Sequence, residues 1–396
     1  MTGAARIRGL GTTIFAEMSA LAERTGAINL GQGFPDTDGP PALLEAAVAA
    51  IRGGRNQYPP GPGIPELRAA VAAHQARWYG LELDPDTEVL VTTGATEAIA
   101  AAVLALVDPG DEVVALEPTY DSYPATVALA GGTLVPVVLR PPEFRLDVAA
   151  LRAAVTPRTR LLLVNSPHNP TGAVLSPAEL GAIAAVAVEH DLVVLTDEVY
   201  EHLVFDGHRH VPLATLPAMR ERTLTVSSAG KTFSVTGWKI GWASGPPPLV
   251  AAVRTAKQFL TYVSGAPFQP AVAAALGSPD DVFTALAAAL QARRDELATG
   301  LAELGFDVHL PRGTYFLTTD IRPLGLDDGL RFCRDLPLVA GVAAIPHQVF
   351  HRDPDEGRHL VRWAFCKRPE VLAEALDRLR AGLPQVAAQR GQRTAL

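Results

Sequence analysis

Cysteine is nearly absent from this sequence, since its 396 residues include only Cys333 and Cys366. That count excludes a disulfide framework and a cysteine-rich zinc site, and we expect both cysteines to be small buried apolar residues. Basic residues are also in the minority, because 34 Lys and Arg stand against 42 Asp and Glu and give a formal net charge of −8. Binding to phosphate backbones needs a basic face, so we expect no nucleic-acid partner. No metal site is predicted.

Long hydrophobic runs are missing as well. The apolar runs at 98–107 and 182–188 fall short of the roughly 18 residues that a membrane span needs. The opening Met-Thr-Gly-Ala-Ala-Arg has no apolar segment of the kind that marks a secretory signal. With 48% hydrophobic and 19% charged residues, the composition is that of a folded chain with a sizeable core. We therefore expect a cytoplasmic protein of two or three domains with no membrane partner.

Between residues 60 and 275, short apolar runs alternate with stretches rich in Ala and Leu. Strands that are apolar throughout and separated by helices indicate a mostly parallel sheet covered on both faces. The predicted fold class is therefore α/β, with a seven-stranded sheet flanked by helices. The predicted strands are 89–92, 112–116, 134–139, 160–164, 192–196, 223–226 and 240–243, and the predicted helices include 97–106, 177–190 and 248–260.

The pattern changes after Pro279, where a long helix at 282–304 leads into a mixture of strands and helices. This mixture predicts a smaller α+β domain. The first 35 residues are too few to fold alone, and we expect them to pack with it. The predicted division is a large domain at 36–285, a discontinuous small domain at 1–35 with 286–383, and a disordered tail at 384–396.

Three predicted strands end in residues suited to binding a small molecule. The first runs into Gly94-Ala95-Thr96 and a helix, and free N–H groups at a helix start can bind phosphate, although any strand–helix turn looks similar. Asn169 lies in an Asn-Pro turn after the strand at 160–164. Asp197 closes an apolar strand, where α/β proteins place ligand sites, and its buried carboxylate needs a facing cation.

Lys231 lies among small residues after the strand at 223–226, and Lys239 follows eight residues later. Most lysines are solvated surface charges, so this pattern alone does not mark a site. One hypothesis explains the lysine, the strand-end Asp197, the Asn-Pro turn and the helix-start anion site together. Lys231 is then a Schiff-base lysine that holds pyridoxal 5′-phosphate (PLP).

With these motifs in order along nearly the whole chain, the sequence resembles the class I and II aminotransferases of PLP fold type I. It is most similar to the kynurenine-type branch, and the segments 60–63, 196–207 and 257–272 resemble actinobacterial N-succinyldiaminopimelate aminotransferases. The motifs are Leu-Gly-Gln-Gly-Phe-Pro at 30–35, Asn-Gln-Tyr-Pro at 56–59, Asn-Pro-Thr-Gly at 169–172, Asp-Glu-Val-Tyr at 197–200, Ser-Ala-Gly-Lys-Thr-Phe at 228–233, Gly-Trp-Lys-Ile-Gly at 237–241 and Val-Arg-Trp-Ala-Phe at 361–365.

The resemblance implies a role for each residue that contacts the PLP ring. Lys231 binds the cofactor covalently and later acts as the base at the substrate Cα. Asp197 pairs with the pyridine nitrogen, which supplies the cation that its buried carboxylate needs. Asn169 and Tyr200 hydrogen-bond the ring oxygen O3′, and Tyr120 stacks on the ring.

The resemblance also implies how the phosphate and the substrate are held. The backbone N–H groups of Ala95 and Thr96, the Ser228 hydroxyl and Lys239 bind the phosphate. Tyr58 reaches it from the neighbouring subunit, so the implied working unit is a homodimer. Arg362 grips the substrate α-carboxylate. Gly33 lets the backbone close over the substrate, because it has no side chain.

The implied activity is ping-pong transfer of an amino group from an L-amino acid to a 2-oxoacid such as 2-oxoglutarate. Lys239 stands where aspartate aminotransferases carry Arg, which argues against specialisation for dicarboxylates. N-succinyl-LL-2,6-diaminopimelate, aromatic amino acids, methionine and glutamine stay open as donors. One alternative is a cysteine-S-conjugate β-lyase on the same fold. Another is a ligand sensor, which is disfavoured because the first motif begins at Gly31 and leaves no room for an N-terminal helix-turn-helix domain.

Overall fold

The structure, a computed structural model, describes residues 3–8, 11 and 13–393 of the chain. Strands in this part of the chain form three sheets. In chain order the strands are β1 Ile28–Asn29, β2 Val89–Thr93, β3 Glu112–Glu117, β4 Thr133–Val138, β5 Thr159–Asn165, β6 Val193–Asp197, β7 Thr223–Ser228, β8 Ile240–Ser244, β9 Asp307–His309, β10 Phe316–Asp320, β11 Val342–Ala343, β12 Ile345–Pro346 and β13 Leu360–Ala364.

The helices are α1 Ile14–Thr25, α2 Pro41–Arg52, α3 Pro65–Tyr79, α4 Gly94–Leu106, α5 Ser122–Ala130, α6 Val148–Ala154, α7 Pro177–Glu189, α8 Ala229–Thr232, α9 Pro247–Lys257, α10 Phe268–Leu276, α11 Asp280–Glu303, α12 Gly329–Val339 and α13 Pro369–Arg393. Local sequence signals set several of their ends. The Ser176 side chain accepts from the backbone N–H of Glu179, and the Glu179 carboxylate accepts from the Ser176 N–H, which is a capping box at the start of α7. Gly80 ends α3 in the left-handed conformation that glycine tolerates.

The largest sheet has seven strands in the order β2-β8-β7-β6-β5-β3-β4. Only β8 runs antiparallel to its neighbours, and every other pair is parallel. This confirms the predicted α/β fold with a mostly parallel seven-stranded sheet. The parallel register pairs Asn165 with Asp197 and Asp197 with Val226, so the carboxyl ends of β5, β6 and β7 lie side by side.

Both faces of this sheet are buried, which explains the uninterrupted apolar strands. In β5, Leu161 and Leu163 pack in a cluster with α4, α5 and α9, whereas Leu162 and Val164 pack in the cluster on the opposite face with α6 and α7. Successive side chains of a strand point to opposite faces, so a sheet with helices on both sides requires an apolar residue at every position.

A second core joins the two ends of the chain. Strand β1 pairs in parallel with β11, and the four-stranded antiparallel sheet β12-β13-β10-β9 packs in the same cluster as α1, α12 and α13. The predicted boundary between 285 and 286 falls inside α11, between Phe283, which packs with α2 and α3, and Leu290, which packs in the second core. These contacts support the discontinuous small domain, which stays a prediction.

The predicted disordered tail at 384–396 begins too early. Helix α13 continues through Pro384 to Arg393, and residues 394–396 lie outside the described part of the chain. The reason is a buried stripe at helical spacing, because Leu379, Leu383 and Val386 all pack in the second core. None of the helices in the described part of the chain combines the length and the apolar character that crossing a bilayer requires.

Candidate active site

A cavity of about 460 Å³ opens at the carboxyl ends of β5, β6 and β7, as expected for a ligand site in an α/β sheet. It is closed from the other side by β13 and by residues from the loop after β1. Eleven of the twelve residues that the sequence analysis assigned to a site line it. They are Gly33, Ala95, Thr96, Tyr120, Asn169, Asp197, Tyr200, Ser228, Lys231, Lys239 and Arg362.

Asp197 is the last residue of β6, and its side chain is buried at the floor of this cavity. The Tyr123 hydroxyl donates to Oδ2 over 2.6 Å, and the backbone N–H of Val199 donates to Oδ1 over 3.3 Å. Burial raises the pKa of Asp197, while these hydrogen bonds act in the opposite direction. A cationic or N–H donor group in the cavity would stabilise the ionised carboxylate.

Lys231 lies in the short helix α8, which begins directly after Ser228 at the end of β7. Its Nζ donates to the Tyr315 hydroxyl over 2.7 Å. Burial lowers the pKa of Lys231 to about 8, although the nearby Cys366 and Asp197 side chains oppose the shift. A substantial fraction of the amine is therefore neutral near pH 7–8, as a lysine nucleophile or base requires.

The first turn of α4 forms a cradle for an anion. Gly94 has a φ of 71°, and the N–H groups of Ala95 and Thr96 belong to the helix start, where no intrahelical partner exists. A Cβ on Gly94 would lie 3.3 Å from Lys239 Nζ, and a Cβ on Gly241 would lie 2.7 Å from the Ala95 nitrogen. The two glycines thus let a cationic side chain and strand β8 lie directly against a helix N-terminus.

Arg362, at the centre of β13, is buried, with 1% of its surface exposed. Its Nη1 donates to Asn169 Oδ1 over 3.0 Å and its Nη2 to the Gly31 carbonyl over 2.7 Å, whereas its buried Nε has no partner among the described residues. The guanidinium lies 3.9 Å from the centre of the Phe316 ring. Burial lowers its pKa to about 10, which still leaves it charged at neutral pH. An unpaired N–H on a buried cation is suited to a carboxylate ligand.

Two predicted tyrosines lie on the same cavity. Tyr200 is buried, 5.3 Å from the Tyr315 ring in an edge-to-face arrangement, and Tyr120 lies 5.7 Å from the Tyr123 ring. Burial raises the pKa of Tyr120 to about 12, so its hydroxyl is protonated at neutral pH and can donate a hydrogen bond. Because β6 ends at Asp197, the chain turns before Tyr200, which lets residues three apart reach one cavity.

Gly33 has no room for a side chain. A Cβ at this position would lie 2.3 Å from the Phe316 ring and 2.7 Å from the Tyr315 ring. Its carbonyl accepts a hydrogen bond from the Tyr315 hydroxyl. The loop that contains Gly33 is therefore held against the same tyrosine that contacts Lys231.

Tyr58 is the one predicted site residue that does not line the cavity. Its side chain is 83% exposed and contacts Tyr262 edge-to-face, with ring centres 5.8 Å apart. Phe259, in the same loop as Tyr262, is 82% exposed. The predicted reach of Tyr58 into a neighbouring subunit stays a prediction.

Sequence reasoning missed several residues of the cavity. Tyr123 contacts Asp197, Tyr315 contacts Lys231, Phe316 lies under Arg362, and Asn165 Oδ1 accepts from the Asn169 N–H over 2.7 Å. Tyr123 lies in the first turn of α5, three residues after the predicted Tyr120, and this closeness in sequence could have indicated it. No local pattern marks Tyr315, because its contact depends on a chain segment 84 residues away.

The sequence matches the family model of class I and II aminotransferases over residues 25–379. It is 62% identical over 385 residues to the probable N-succinyldiaminopimelate aminotransferase DapC of Mycobacterium tuberculosis, covering 94% of this chain and 97% of that protein. It is 42% identical over 371 residues to the methionine aminotransferase of Escherichia coli, covering 94% and 96%.

Solved structures give the same result. The N-succinyldiaminopimelate aminotransferase of M. tuberculosis superposes with a TM-score of 0.94 at 62% identity, covering 96% of this chain and 99% of that one. An aspartate aminotransferase of Thermus thermophilus superposes with a TM-score of 0.87 at 37% identity, covering 96% and 99%. The fold is therefore the aspartate aminotransferase-like fold type I, and the protein is an enzyme that belongs to the class I and II aminotransferases.

Proposed function

We propose that this aminotransferase binds PLP at Lys231, takes the amino group of N-succinyl-LL-2,6-diaminopimelate and passes it to a 2-oxoacid such as 2-oxoglutarate. The observation that carries the proposal is the convergence of one half-buried and two buried groups on one cavity. They are the amine of Lys231, the strand-end carboxylate of Asp197 and the half-paired guanidinium of Arg362. The choice of donor rests on the 62% identity to a relative of that name.

The residues present fit PLP at each of its functional groups. Lys231 and Asp197 line the same cavity, and we propose that the Lys231 amine bonds the aldehyde carbon while Asp197 accepts from a protonated ring nitrogen, which would stabilise its carboxylate form. The glycine cradle at the start of α4 fits a phosphate, held by the N–H groups of Ala95 and Thr96 and by Lys239. Ser228, Tyr200, Asn169 and Tyr120 lie on the same cavity and are proposed to contact the phosphate and the ring.

When bound, PLP withdraws electrons from the Cα–H bond of the amino acid joined to it. Lys231 then takes the proton from the substrate Cα as a neutral amine, a form that its lowered pKa favours. Tyr315 holds the Lys231 Nζ through its hydroxyl and ties it to the Gly33 carbonyl. The amine is thereby kept close to the reacting carbon, so the proton transfer is effectively intramolecular.

Arg362 is proposed to bind the α-carboxylate of both substrates. Two of its nitrogens are already anchored by Gly31 and Asn169, so the guanidinium is oriented before a ligand arrives. Its buried Nε–H has no acceptor among the described residues, which is unfavourable unless a bound carboxylate accepts from it. A charged side chain that is already oriented strengthens binding, because it loses little conformational entropy when the ligand binds.

The cations that line the cavity, among the described residues, are Lys231, Lys239 and Arg362, and each has an assigned partner in this proposal. N-succinyl-LL-2,6-diaminopimelate carries two carboxylates besides the one at the reacting Cα, and both must therefore meet groups outside this set. We propose that they lie at the mouth of the cavity in a homodimer, where Tyr58 reaches the neighbouring phosphate. The exposed side chains of Tyr58, Phe259 and Tyr262 support a subunit contact, since Tyr58 and Tyr262 touch each other and exposed apolar side chains are typical of interaction surfaces.

A cytoplasmic location is part of the proposal. Cys333 and Cys366 are both buried free thiols, as is usual in a reducing compartment. Subcellular fractionation of the source cell with an antibody against the chain tests it, and recovery in the secreted fraction would contradict it.

Steady-state transamination with 2-oxoglutarate as acceptor tests the choice of donor. We expect kcat/KM for N-succinyl-LL-2,6-diaminopimelate to exceed that for methionine, glutamine and kynurenine by about tenfold or more, the range that side-chain contacts supply. Faster turnover of one of the others would overturn the donor. Release of pyruvate and ammonia from a β-substituted alanine without acceptor, at a rate above transamination, would instead indicate a β-lyase.

A further inference from the structure

A second cluster of polar side chains lies away from the active-site cavity, between helix α3 and the turn that follows β6. His74 of α3 and His202 of the turn face each other, with their Nε2 atoms 2.8 Å apart. Glu201 joins them, and one ligating atom from each of the three residues lies within 4.8 Å of the other two. All three residues are buried.

The hydrogen bonds of this cluster are incomplete. The Ser227 hydroxyl donates to Glu201 Oε1, but the buried Glu201 Oε2 has no hydrogen-bond partner among the described residues. An unpaired buried carboxylate oxygen is strongly disfavoured. A bound cation would remove this penalty.

The cluster is reached from a second cavity of about 520 Å³, which Glu201 and His202 line together with Trp78, Tyr79 and His210. This cavity offers an entry path for an ion and space for a water at a fourth coordination position. A metal site with three protein ligands and one open position has this form.

The ligand chemistry selects the kind of ion. Two imidazole nitrogens and one carboxylate suit a borderline divalent ion such as Zn²⁺, whereas Mg²⁺ and Ca²⁺ prefer oxygen ligands throughout. Both histidines are buried and their Nε2 atoms face each other, so each ring can present a nitrogen to the same ion. The Ser227 hydroxyl orients the carboxylate from behind, as second-layer partners of metal ligands do.

Asp307, His309 and Asp320 form another group with possible ligand atoms. There the Arg322 guanidinium already donates to Asp320 Oδ2 over 2.8 Å. Because the Arg322 guanidinium already neutralises the Asp320 carboxylate and would repel a second cation, a metal ion is unfavourable at that position.

We propose that His74 Nε2, His202 Nε2 and the Glu201 carboxylate bind a Zn²⁺ ion, contrary to the expectation from the sequence that no metal is bound. The ion ties α3 to the turn after β6. That turn directly follows Asp197 and includes Tyr200, which both line the active-site cavity. The metal therefore stabilises this side of the cavity, although none of its three ligands lines it.

The metal content of the tag-free full-length enzyme tests the proposal independently of any activity. The protein is stripped with a chelator, dialysed against Zn²⁺ and measured by mass spectrometry of the metal, together with His74→Gln, His202→Gln and, as control, His210→Gln. His210 lines the same cavity and contacts Glu198 over 2.8 Å, outside the three ligands. We expect about one Zn²⁺ per chain in the wild type and in His210→Gln, and at least a tenfold loss of affinity in the other two variants.

Thermal unfolding gives a second readout. Zn²⁺ raises the melting temperature of the wild type and His210→Gln but not of His74→Gln, because only a folded protein with the complete site binds the ion. Less than about a tenth of an equivalent in the wild type would overturn the proposal, whatever the variants do. Equal binding by the wild type, His74→Gln and His202→Gln would also overturn it, since the ion would then lie elsewhere.

Discussion

Replacing Arg362 with Lys tests the proposed carboxylate site without removing its charge. In the structure the guanidinium donates to Asn169 Oδ1 and to the Gly31 carbonyl, and its buried Nε has no partner among the described residues. A lysine has one nitrogen and cannot hold both anchors while it also donates to a carboxylate with the geometry of a guanidinium. Arg362→Lys therefore keeps the electrostatic attraction and loses one charge-assisted hydrogen bond to the substrate.

The size of the effect follows from that single bond. A hydrogen bond to a charged group contributes about 1.5–3 kcal/mol, and with only 1% of Arg362 exposed, solvent does not replace it. At about 1.4 kcal/mol per factor of ten, kcat/KM falls by about 10- to 150-fold. Because both substrates carry an α-carboxylate, the fall applies equally to the amino donor and to the 2-oxoacid.

The assay measures each half-reaction separately, with one substrate at a time and pre-steady-state absorbance as the signal. The cofactor spectrum and the melting temperature serve as controls, since Arg362 does not lie among the proposed phosphate ligands. A loss below about threefold for both substrates, or a loss confined to one of them, would refute the assignment of Arg362 as the shared carboxylate site.

Three further predictions follow from contacts in the same structure. Tyr315→Phe removes the hydroxyl that joins Lys231 Nζ to the Gly33 carbonyl. We expect kcat to fall about tenfold and KM to change by less than about threefold. A changed KM with a normal kcat would contradict this positioning role. We expect the rate at which cofactor-free protein takes up PLP to rise with pH and to level off above about pH 8. The reason is that the neutral Lys231 amine is the reactive form and its pKa is lowered to about 8. A rate that still rises about tenfold per pH unit at pH 9–10 would show that the pKa of the lysine is not lowered. Leu379→Ala lowers the free energy of unfolding by about 2–5 kcal/mol in urea titrations, because Leu379 is fully buried in the second core. The control Leu338→Ala, at a 64% exposed position, changes the free energy of unfolding by less than about 0.5 kcal/mol.

Much of the sheet was predictable because a strand that is buried on both faces has a recognisable local sequence pattern. Strands such as 160–164 are apolar at every position, and the observed β5 differs from that prediction by one residue at each end. The positions of Asp197, at the end of β6, and of Lys231, just after β7, were predictable for a related reason, since parallel strands bring their carboxyl ends to one edge of the sheet.

Contacts between distant segments were not predictable. Arg362 and Asn169 are 193 residues apart, and Lys231 and Tyr315 are 84 apart, so their hydrogen bonds depend on how β13 and β10 pack over the large sheet. The end of α13 was mistaken for a similar reason. Pro384 is normally a helix terminator, but the burial of Leu383 and Val386 in the second core outweighs that preference.

We propose that the enzyme holds PLP at Lys231 and accepts the amino group of N-succinyl-LL-2,6-diaminopimelate. The decisive measurement is the absorbance after that compound is mixed with the purified enzyme in the absence of any 2-oxoacid. We expect the visible band of the lysine-bound cofactor to disappear in a single turnover and to return when 2-oxoglutarate is added. Folded Lys231→Ala should complete no such cycle. A wild-type spectrum that does not change with this donor would exclude it as the substrate, and a Lys231→Ala variant that transaminates normally would exclude Lys231 as the PLP lysine.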